Sequence, residues 1–495
     1  MITITINNVR STISGLNRET FGLLNDELAF EVPGARFMKA YTKGWWDNEK
    51  KKWCHWDGYR RLLSKNKKGC FFLTGLVNRA KDLLDNYHVE YEVIDNRKEP
   101  KNCKPIKIKN EKKIDKRPYQ DDVFKTCLLN SRGIVKAATG SGKSIMILQL
   151  VAQRNVRTNV YVTGVDLLYQ LHNTFKFFGI DAGIIGDGQC EIKKINIISI
   201  WTAASALGAK YKPMGDDDMG RKEKLAESNK ALIADAIKKS QMNVFDECHC
   251  ISTDTVQIIN NNSISSYYSY GFSGTPWRED NSELLIEGVC GSIICNITAT
   301  ELINSGYLVR PTIHFISIPK STKKYNKKYP SVYKNYVVEN DIRNSKIVKA
   351  ADKLVASGRK TLILVKSIKH GKILFDELSL KHSVHFLSGS VSSYTRNEIK
   401  KSFSEGNIDI LIASVIFDQG IDLPVLSGLI LAGSGKSSGR ALQRIGRVIR
   451  LCEGKKNAIV VDFIDNEKFL LDHTRSRAEI YRTEPGFVLK FPKTR

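Results

Sequence analysis

Ile134-Val135-Lys136-Ala137-Ala138-Thr139-Gly140-Ser141-Gly142-Lys143-Ser144-Ile145 is the stretch that decides how this chain is folded. An apolar run, Ile134 and Val135, enters a loop of small residues, and a helical pattern opens near Lys143. No Cβ blocks the approach at Gly140 or Gly142, so backbone N–H groups there can crowd around an anion. The start of the helix adds unpaired N–H donors and the positive end of its dipole. Lys143 is then placed to neutralise the β- and γ-phosphates of a nucleotide, and the Ser144 hydroxyl to complete a Mg²⁺ shell. The pattern is A-x-x-x-x-G-K-S, with Ala137 where the P-loop template has its first glycine. The plainer alternative is a Gly-rich turn between a strand and a helix.

A second stretch bears on the choice. Met242-Asn243-Val244-Phe245-Asp246-Glu247-Cys248-His249 is an apolar strand that delivers two adjacent acids at its C-terminal end. Ligands of open α/β sheets bind at that end. Asp246 is expected to hold Mg²⁺ and Glu247 to orient or deprotonate an attacking water. Tyr270 to Pro276 gives another strand, ending in the hydroxyls of Ser273 and Thr275. From about 117 to 310 strands and helices alternate, the pattern of a parallel sheet covered by helices. Within it, three aspartates (216–218) suit a solvated loop, and Lys224–Lys239 is polar enough to be a surface insertion.

The chain has 495 residues, enough for about three domains. Hydrophobic residues make up 42% and charged residues 26%, the balance of a soluble globular protein. The net charge of +25 favours a polyanionic partner, nucleic acid first and an anionic membrane surface second. No apolar run has the length of a membrane span, and Met1–Ile6 alternates like a strand. The ten cysteines lack paired C-x-x-C spacing, and Cys248-His249-Cys250 is too close-set for a zinc site. Reduced thiols, a cytoplasmic setting and no structural metal are expected.

Residues 1–96 suggest a small α+β domain, with a helix over Arg18–Leu28, an amphipathic helix over Thr74–Tyr87 and a closing strand over Val89–Ile94. Between them lies an aromatic tract, Phe37, Tyr41, Trp45, Trp46, Trp53, Trp56 and Tyr59, interleaved with lysines and with Arg60 and Arg61. Its rings can stack on bases while the cations take phosphates, or the tryptophans can form the core of a small domain. Residues 97–116 have the composition of a solvated basic linker.

A second alternating block, 311–495, ends its motifs with a helix over Arg440–Ile449 carrying Gln443-Arg444-Ile445-Gly446-Arg447-Val448-Ile449-Arg450. Arg447 and Arg450 are three apart and would share one helical face. Gly433-Ser-Gly-Lys-Ser437 mimics a P-loop, but Ile430 stands where a small residue belongs, which marks a decoy.

In sequence order A-A-T-G-S-G-K-S, D-E-C-H, S-G-T-P, V-I-F-D-Q-G-I-D and Q-R-I-G-R-V-I-R resemble the motor of superfamily-two helicases over about residues 115–480. The resemblance implies an α/β fold of two RecA-like parallel-sheet domains in tandem, here preceded by the small α+β domain, with ATP and Mg²⁺ in the cleft between them. It implies that Arg117 and Gln120 contact adenine, and that Thr139 to Ser144 hold the phosphates. His249, Ser273 and Thr275 would couple hydrolysis to nucleic acid. Gly420 and Asp422 would complete the cleft, and Gln443, Arg447 and Arg450 would close on the γ-phosphate. Phe30–Phe37, Trp56-Asp57-Gly58 and Thr74–Val77 are similar to the N-terminal DNA-contacting domain of phage UvsW-type branch-migration helicases. That narrower likeness implies a monomeric translocase that remodels branched or duplex-containing DNA, with RNA–DNA hybrids as further substrates. Ser199-Ile200-Trp201-Thr202 departs from the family's Thr-Trp-Gln type sequence. An RNA helicase, a restriction-type translocase subunit and a passive annealing protein remain as alternatives.

Overall fold

The computed structural model describes residues 1–48, 51–66, 69–101, 103–209, 227–250, 253–275, 281–320, 328–388, 393–414, 423–433, 435 and 438–492. The chain divides into two compact units, the first running to Asn296 apart from two short stretches and the second from Ile297.

The first unit holds two sheets. Its N-terminal sheet has the order Ser64–Asn66, Gly69–Leu73, Arg10–Ser14, Ile2–Ile6, Tyr91–Asp95. The alternation of Ile2, Ile4 and Ile6 buries one face of the Ile2–Ile6 strand. Leu24 from the Arg18–Glu27 helix, Leu28 at its C-cap, and Ala80 and Leu84 from Val77–Asn86 cover that face. The core does not stop there, because Leu284 and Leu285 of the helix Glu283–Cys290 belong to the same cluster.

The second sheet runs Gln189–Cys190, Ala182–Gly186, Ile195–Ser199, Thr158–Val162, Met242–Asp246, Tyr268–Ser273, Arg132–Ala137, Ile293–Ile297. The pairs that join the Arg132–Ala137, Tyr268–Ser273 and Met242–Asp246 strands are parallel. Asp246 stands opposite Phe272 and Lys136 opposite Ser273, so the three strands finish on one edge of the sheet. The α/β alternation read from the sequence is therefore correct.

Two expectations change. The polar stretch near residue 230 is no surface decoration: its described helix, Glu227–Lys238, sinks Ile233 and Ile237 completely into the core beside Ile200 and Ala203. Two isoleucines four apart outweigh the polar remainder, because burying each contributes roughly 1.5–3 kcal/mol. The aspartates 216–218 lie outside the described residues. The basic 97–116 segment, irregular apart from the 3-10 turn Glu111–Lys113, is strapped down. Ile106 N–H donates to Ala152 O, Lys109 N–H to Phe178 O, and Asn155 Nδ2 to Lys104 O.

The second unit is a seven-stranded sheet in the order Val384–Leu387, Ile410–Ser414, Thr361–Val365, Gly428–Leu431, Asn457–Asp465, Arg310–Ile318, Val488–Lys490, joined by parallel pairs. Two buried ion pairs brace it, Arg343–Asp465 at 2.8 Å and Arg477–Asp462 at 2.8 Å. Their remaining N–H groups donate to Ala432 O and Gly435 O, which pins the chain leaving the Gly428–Leu431 strand. Removing one partner of such a pair strands a buried charge.

The seam between the N-terminal sheet and the parallel sheet is close-packed. A Cβ on Gly75 would lie 2.1 Å from Glu287 O, and one on Gly288 would lie 2.7 Å from Leu73 Cδ1. Arg79 forks onto Glu287 at 3.2 and 3.0 Å and reaches Glu27 at 2.6 Å. Arg132, at the base of the P-loop strand, donates to Asn8 O and to Val289 O. Gly75→Ala is expected to force this seam apart and destabilise the chain by about 1–3 kcal/mol. A lowered midpoint in thermal unfolding checks it; an unchanged midpoint would show the seam to be slack.

Candidate nucleotide site and nucleic-acid surface

The P-loop strand Arg132–Ala137 gives way to the helix Lys143–Arg154 through Gly140 (φ +89°) and Gly142 (φ +82°). Both glycines sit in left-handed conformations that a side chain would strain. Gly142 is constrained twice, since a Cβ there would fall 2.5 Å from Gln120 Nε2. Gln120 is buried in the first turn of the helix Pro118–Leu129, and its Oε1 accepts from Arg117 N–H at 3.3 Å. The Arg117 guanidinium donates to Tyr119 Oη at 3.0 Å. Thus the fold places Gln120 against the P-loop. Thr139 and the buried Ser141 complete the loop, and Ser144 stands in the first turn of the helix.

Lys143 Nζ lies 3.0 Å from Glu247 Oε1. Glu247 itself has φ +48°, an uncommon backbone for a non-glycine residue. Such strain costs about 1–3 kcal/mol and persists where surrounding structure imposes it. Asp246, at the buried strand end, accepts from Glu247 N–H at 3.0 Å. Desolvation, and then the Glu247 charge, push the Asp246 carboxyl up to about 7, while Lys143 opposes the shift. Glu247 Oε2 is 3.5 Å from His249 Nδ1, and that same nitrogen is 2.6 Å from Ser273 Oγ. Ser273 Oγ also accepts from Thr275 N–H at 3.1 Å. A connected path runs from Lys143 through Glu247 and His249 to the adjacent strand end at Ser273. The structure therefore brings together the residues that the sequence placed on this half. Among the described residues no group of three or more His, Cys, Asp and Glu is arranged to hold a metal ion, and no helix is long and apolar enough to cross a membrane.

In the second unit the helix is Ser438–Val448, with Gln443 and Arg447 on it. Arg450 is not on that helix, which corrects the expected shared helical face. Its backbone pairs instead with Leu308 as an isolated bridge, and Ile449 O accepts from Val309 N–H. A residue missed in the sequence holds it there: Lys455 Nζ donates to Arg450 O at 2.7 Å and to Pro424 O at 3.0 Å. One lysine among 77 basic residues carries no mark of such a role. Gly420 and Asp422 lie outside the described residues, as do Lys436 and Ser437 of the P-loop mimic.

The aromatic tract forms two short ribbons, Ala29–Glu31 with Tyr59–Arg61 and Trp45–Asp47 with Lys52–Cys54. Trp45, Trp46 and Trp53 are 47%, 50% and 62% exposed, so these three do not form a core. Trp56 is half-buried and donates to Tyr59 O at 2.8 Å. Arg61 pairs with Asp57 at 2.7 Å, and Arg60 reaches Asp254 at 3.3 Å, on the helix Thr253–Asn262 that follows His249.

Residues 113–278 match the family described as type III restriction enzyme, res subunit, and residues 345–452 match the helicase conserved C-terminal domain. Together with the two parallel sheets and the Lys143–Glu247 site, these matches make the chain a superfamily-two helicase. Its relatives include the ATP-dependent DNA helicase uvsW of Enterobacteria phage T4, 27% identical over 95% of both chains. The DNA 3'-5' translocase XPB2 of Sulfurisphaera tokodaii is 26% identical over 71% of this chain and 82% of its own. The helicase MrfA bound to DNA shares the fold, with a TM-score of 0.54 at 15% identity over 80% of this chain and 54% of that one.

Burial lowers the Lys455 ammonium to about 8. The native state then binds fewer protons than the unfolded chain between about pH 8 and pH 10.5, so this lysine's contribution to stability rises with pH in that window. The wild type is expected to gain stability on Lys455→Met between pH 7.5 and 9.5 in urea unfolding. A constant difference between the two would place the lysine in water.

Proposed function

We propose that this superfamily-two helicase is an ATP-driven DNA translocase that remodels branched DNA, such as forks, four-way junctions and R-loops, during replication, recombination and repair. The observation that carries the reading is the path Lys143–Glu247–His249–Ser273, which ties a phosphate-binding lysine to the end of a neighbouring strand. Such a path gives the state of a phosphate a mechanical outlet. When ATP binds, its phosphates take Lys143 from Glu247 and free the carboxylate to orient the attacking water. Glu247 then shifts against His249, and the change passes to Ser273 and to the chain that follows it.

The residues suit a divalent cation, because a buried carboxylate pushed up to about 7 is relieved by one. Mg²⁺ would be held by Asp246 and Ser144 and, when bound, supplies charge neutralisation on phosphate oxygens. Arg447 and Arg450, with Gln443 beside them in sequence, act on the γ-phosphate in the turnover state. Lys455 sets the backbone at Arg450. Arg117 and Gln120 read the adenine.

The choice of DNA rests on the net charge of +25, on the exposed aromatic and basic ribbons, and on relatives named as DNA helicases and translocases. A phage relative named as an ATP-dependent DNA helicase, similar over 95% of both chains, supports the DNA reading; action on branched DNA as a monomer in the host cytoplasm is part of the proposal.

Lys143→Ala and Arg450→Ala are expected to bind forked DNA with unchanged affinity. Their DNA-stimulated ATP hydrolysis falls on the order of 10³-fold, the scale of an arginine finger. Hydrolysis should be compared with single-stranded, duplex, forked and four-way-junction DNA and with RNA–DNA hybrids. Normal stimulated turnover in either variant would refute the assignment, and stimulation by RNA alone would refute the substrate.

A further inference from the structure

Trp46 and Trp53 face each other directly across the ribbon Trp45–Asp47/Lys52–Cys54. Their ring centroids are 6.3 Å apart with planes at 76°, an edge-to-face pair. Both rings stand at least half in solvent, and Phe37, earlier in the same tract, is 80% exposed. Large exposed apolar rings grouped together mark a surface awaiting a partner. Exposed Lys39, Lys43 and Lys51 lie on either side of the pair in sequence, and Lys52, across from Asp47, belongs to the other face of the ribbon. Flat rings with cations on either side fit a nucleic-acid end, which offers a base face inside a frame of phosphates. An apolar protein surface would leave those lysines without counter-charges.

The ribbon is braced. Trp56 N–H donates to Ala40 O at 3.0 Å, and His55 Nδ1 lies 3.2 Å from Tyr41 O. Gly44 has φ +66° at its entry, where a Cβ would lie 2.3 Å from Cys54 O. The N-terminal sheet of the same domain is seamed to the P-loop domain through Gly75, Gly288, Arg79 and Arg132.

We propose that the Trp46–Trp53 pair is a stacking wedge that caps the terminal base pair where a duplex meets parted strands, with the flanking lysines holding the phosphates on either side. The inference rests on the motor reading above and names the structure that the N-terminal surface recognises. A base at a junction has one face uncovered, and a ring laid on that face offsets the stacking lost as the next pair opens. Nucleic acid without such an end gives the pair nothing to cap.

The test uses the full chain on forked DNA with 2-aminopurine at the last paired position, and on a matched fork with 2-aminopurine within a single-stranded arm. The wild type is expected to change the fluorescence at the junction position more than in the arm. Trp46→Ala/Trp53→Ala is expected to lose that junction signal. It should also unwind forks about tenfold more slowly or worse, with a smaller loss of hydrolysis stimulated by single strands. Trp46→Phe/Trp53→Phe should restore most of both. The wedge is overturned if the alanine variant unwinds like the wild type. It is equally overturned if fork unwinding and single-strand-stimulated hydrolysis fall in parallel, which describes a general grip. A wild type without DNA-stimulated hydrolysis overturns the motor reading and the wedge with it. The alanine variant must keep the wild-type thermal midpoint, as the exposure of both rings predicts; a lowered midpoint would make them structural and overturn the wedge.

Discussion

The ion pair between Lys143 and Glu247, 3.0 Å long, is the contact on which the rest turns. It exists because a parallel sheet delivers its strand ends to one edge. The lysine opens the helix after one strand, and the glutamate follows Asp246 at the end of another. Neither residue is in an easy state. The lysine sits behind two left-handed glycines, the glutamate has a positive φ, and Asp246 is a carboxyl pushed up by burial. A site assembled from groups that each need a counter-ion is poised to exchange partners when a polyanion arrives. The same edge carries Ser273, so the exchange has somewhere to go.

The N-terminal domain is not a tethered accessory. Its hydrophobic core continues into the helix Glu283–Cys290 of the P-loop domain, and two glycines allow the backbones to touch. Arg60 adds a weak, exposed pair to Asp254 on the helix just after the D-E-C-H segment. The surface proposed to engage DNA is in this way built into the body that carries the P-loop. A +25 chain gains long-range attraction to DNA from its charge alone, but only a fixed geometry turns attraction into directed work.

Much of this was legible in the residues. Strand-like apolar runs, small-residue loops and the acids at Asp246 and Glu247 carry their chemistry in local order, so the parallel sheets and the nucleotide half of the site could be read directly. What depended on tertiary packing could not. Ile233 and Ile237 are hidden in a polar helix, and only the core they enter explains them. Arg450 looked like a continuation of helical spacing, yet the helix ends at Val448 and a bridge to Leu308 takes over. Lys455 acts through backbone carbonyls, which no side-chain pattern records. The tryptophans were equally consistent with core or surface, because composition is blind to which way a short ribbon faces.

Energy transfer between dyes placed at exposed Leu129 in the first unit and exposed Leu380 in the second tests most directly the proposal that Arg447 and Arg450 act on a γ-phosphate held by Lys143, because that proposal requires the second unit to respond when nucleotide and DNA are bound. Transfer efficiency is expected to shift when a non-hydrolysable ATP analogue and forked DNA are both present, and to stay at its starting value in Lys143→Ala. Unchanged efficiency in a chain that hydrolyses ATP normally on DNA would contradict it.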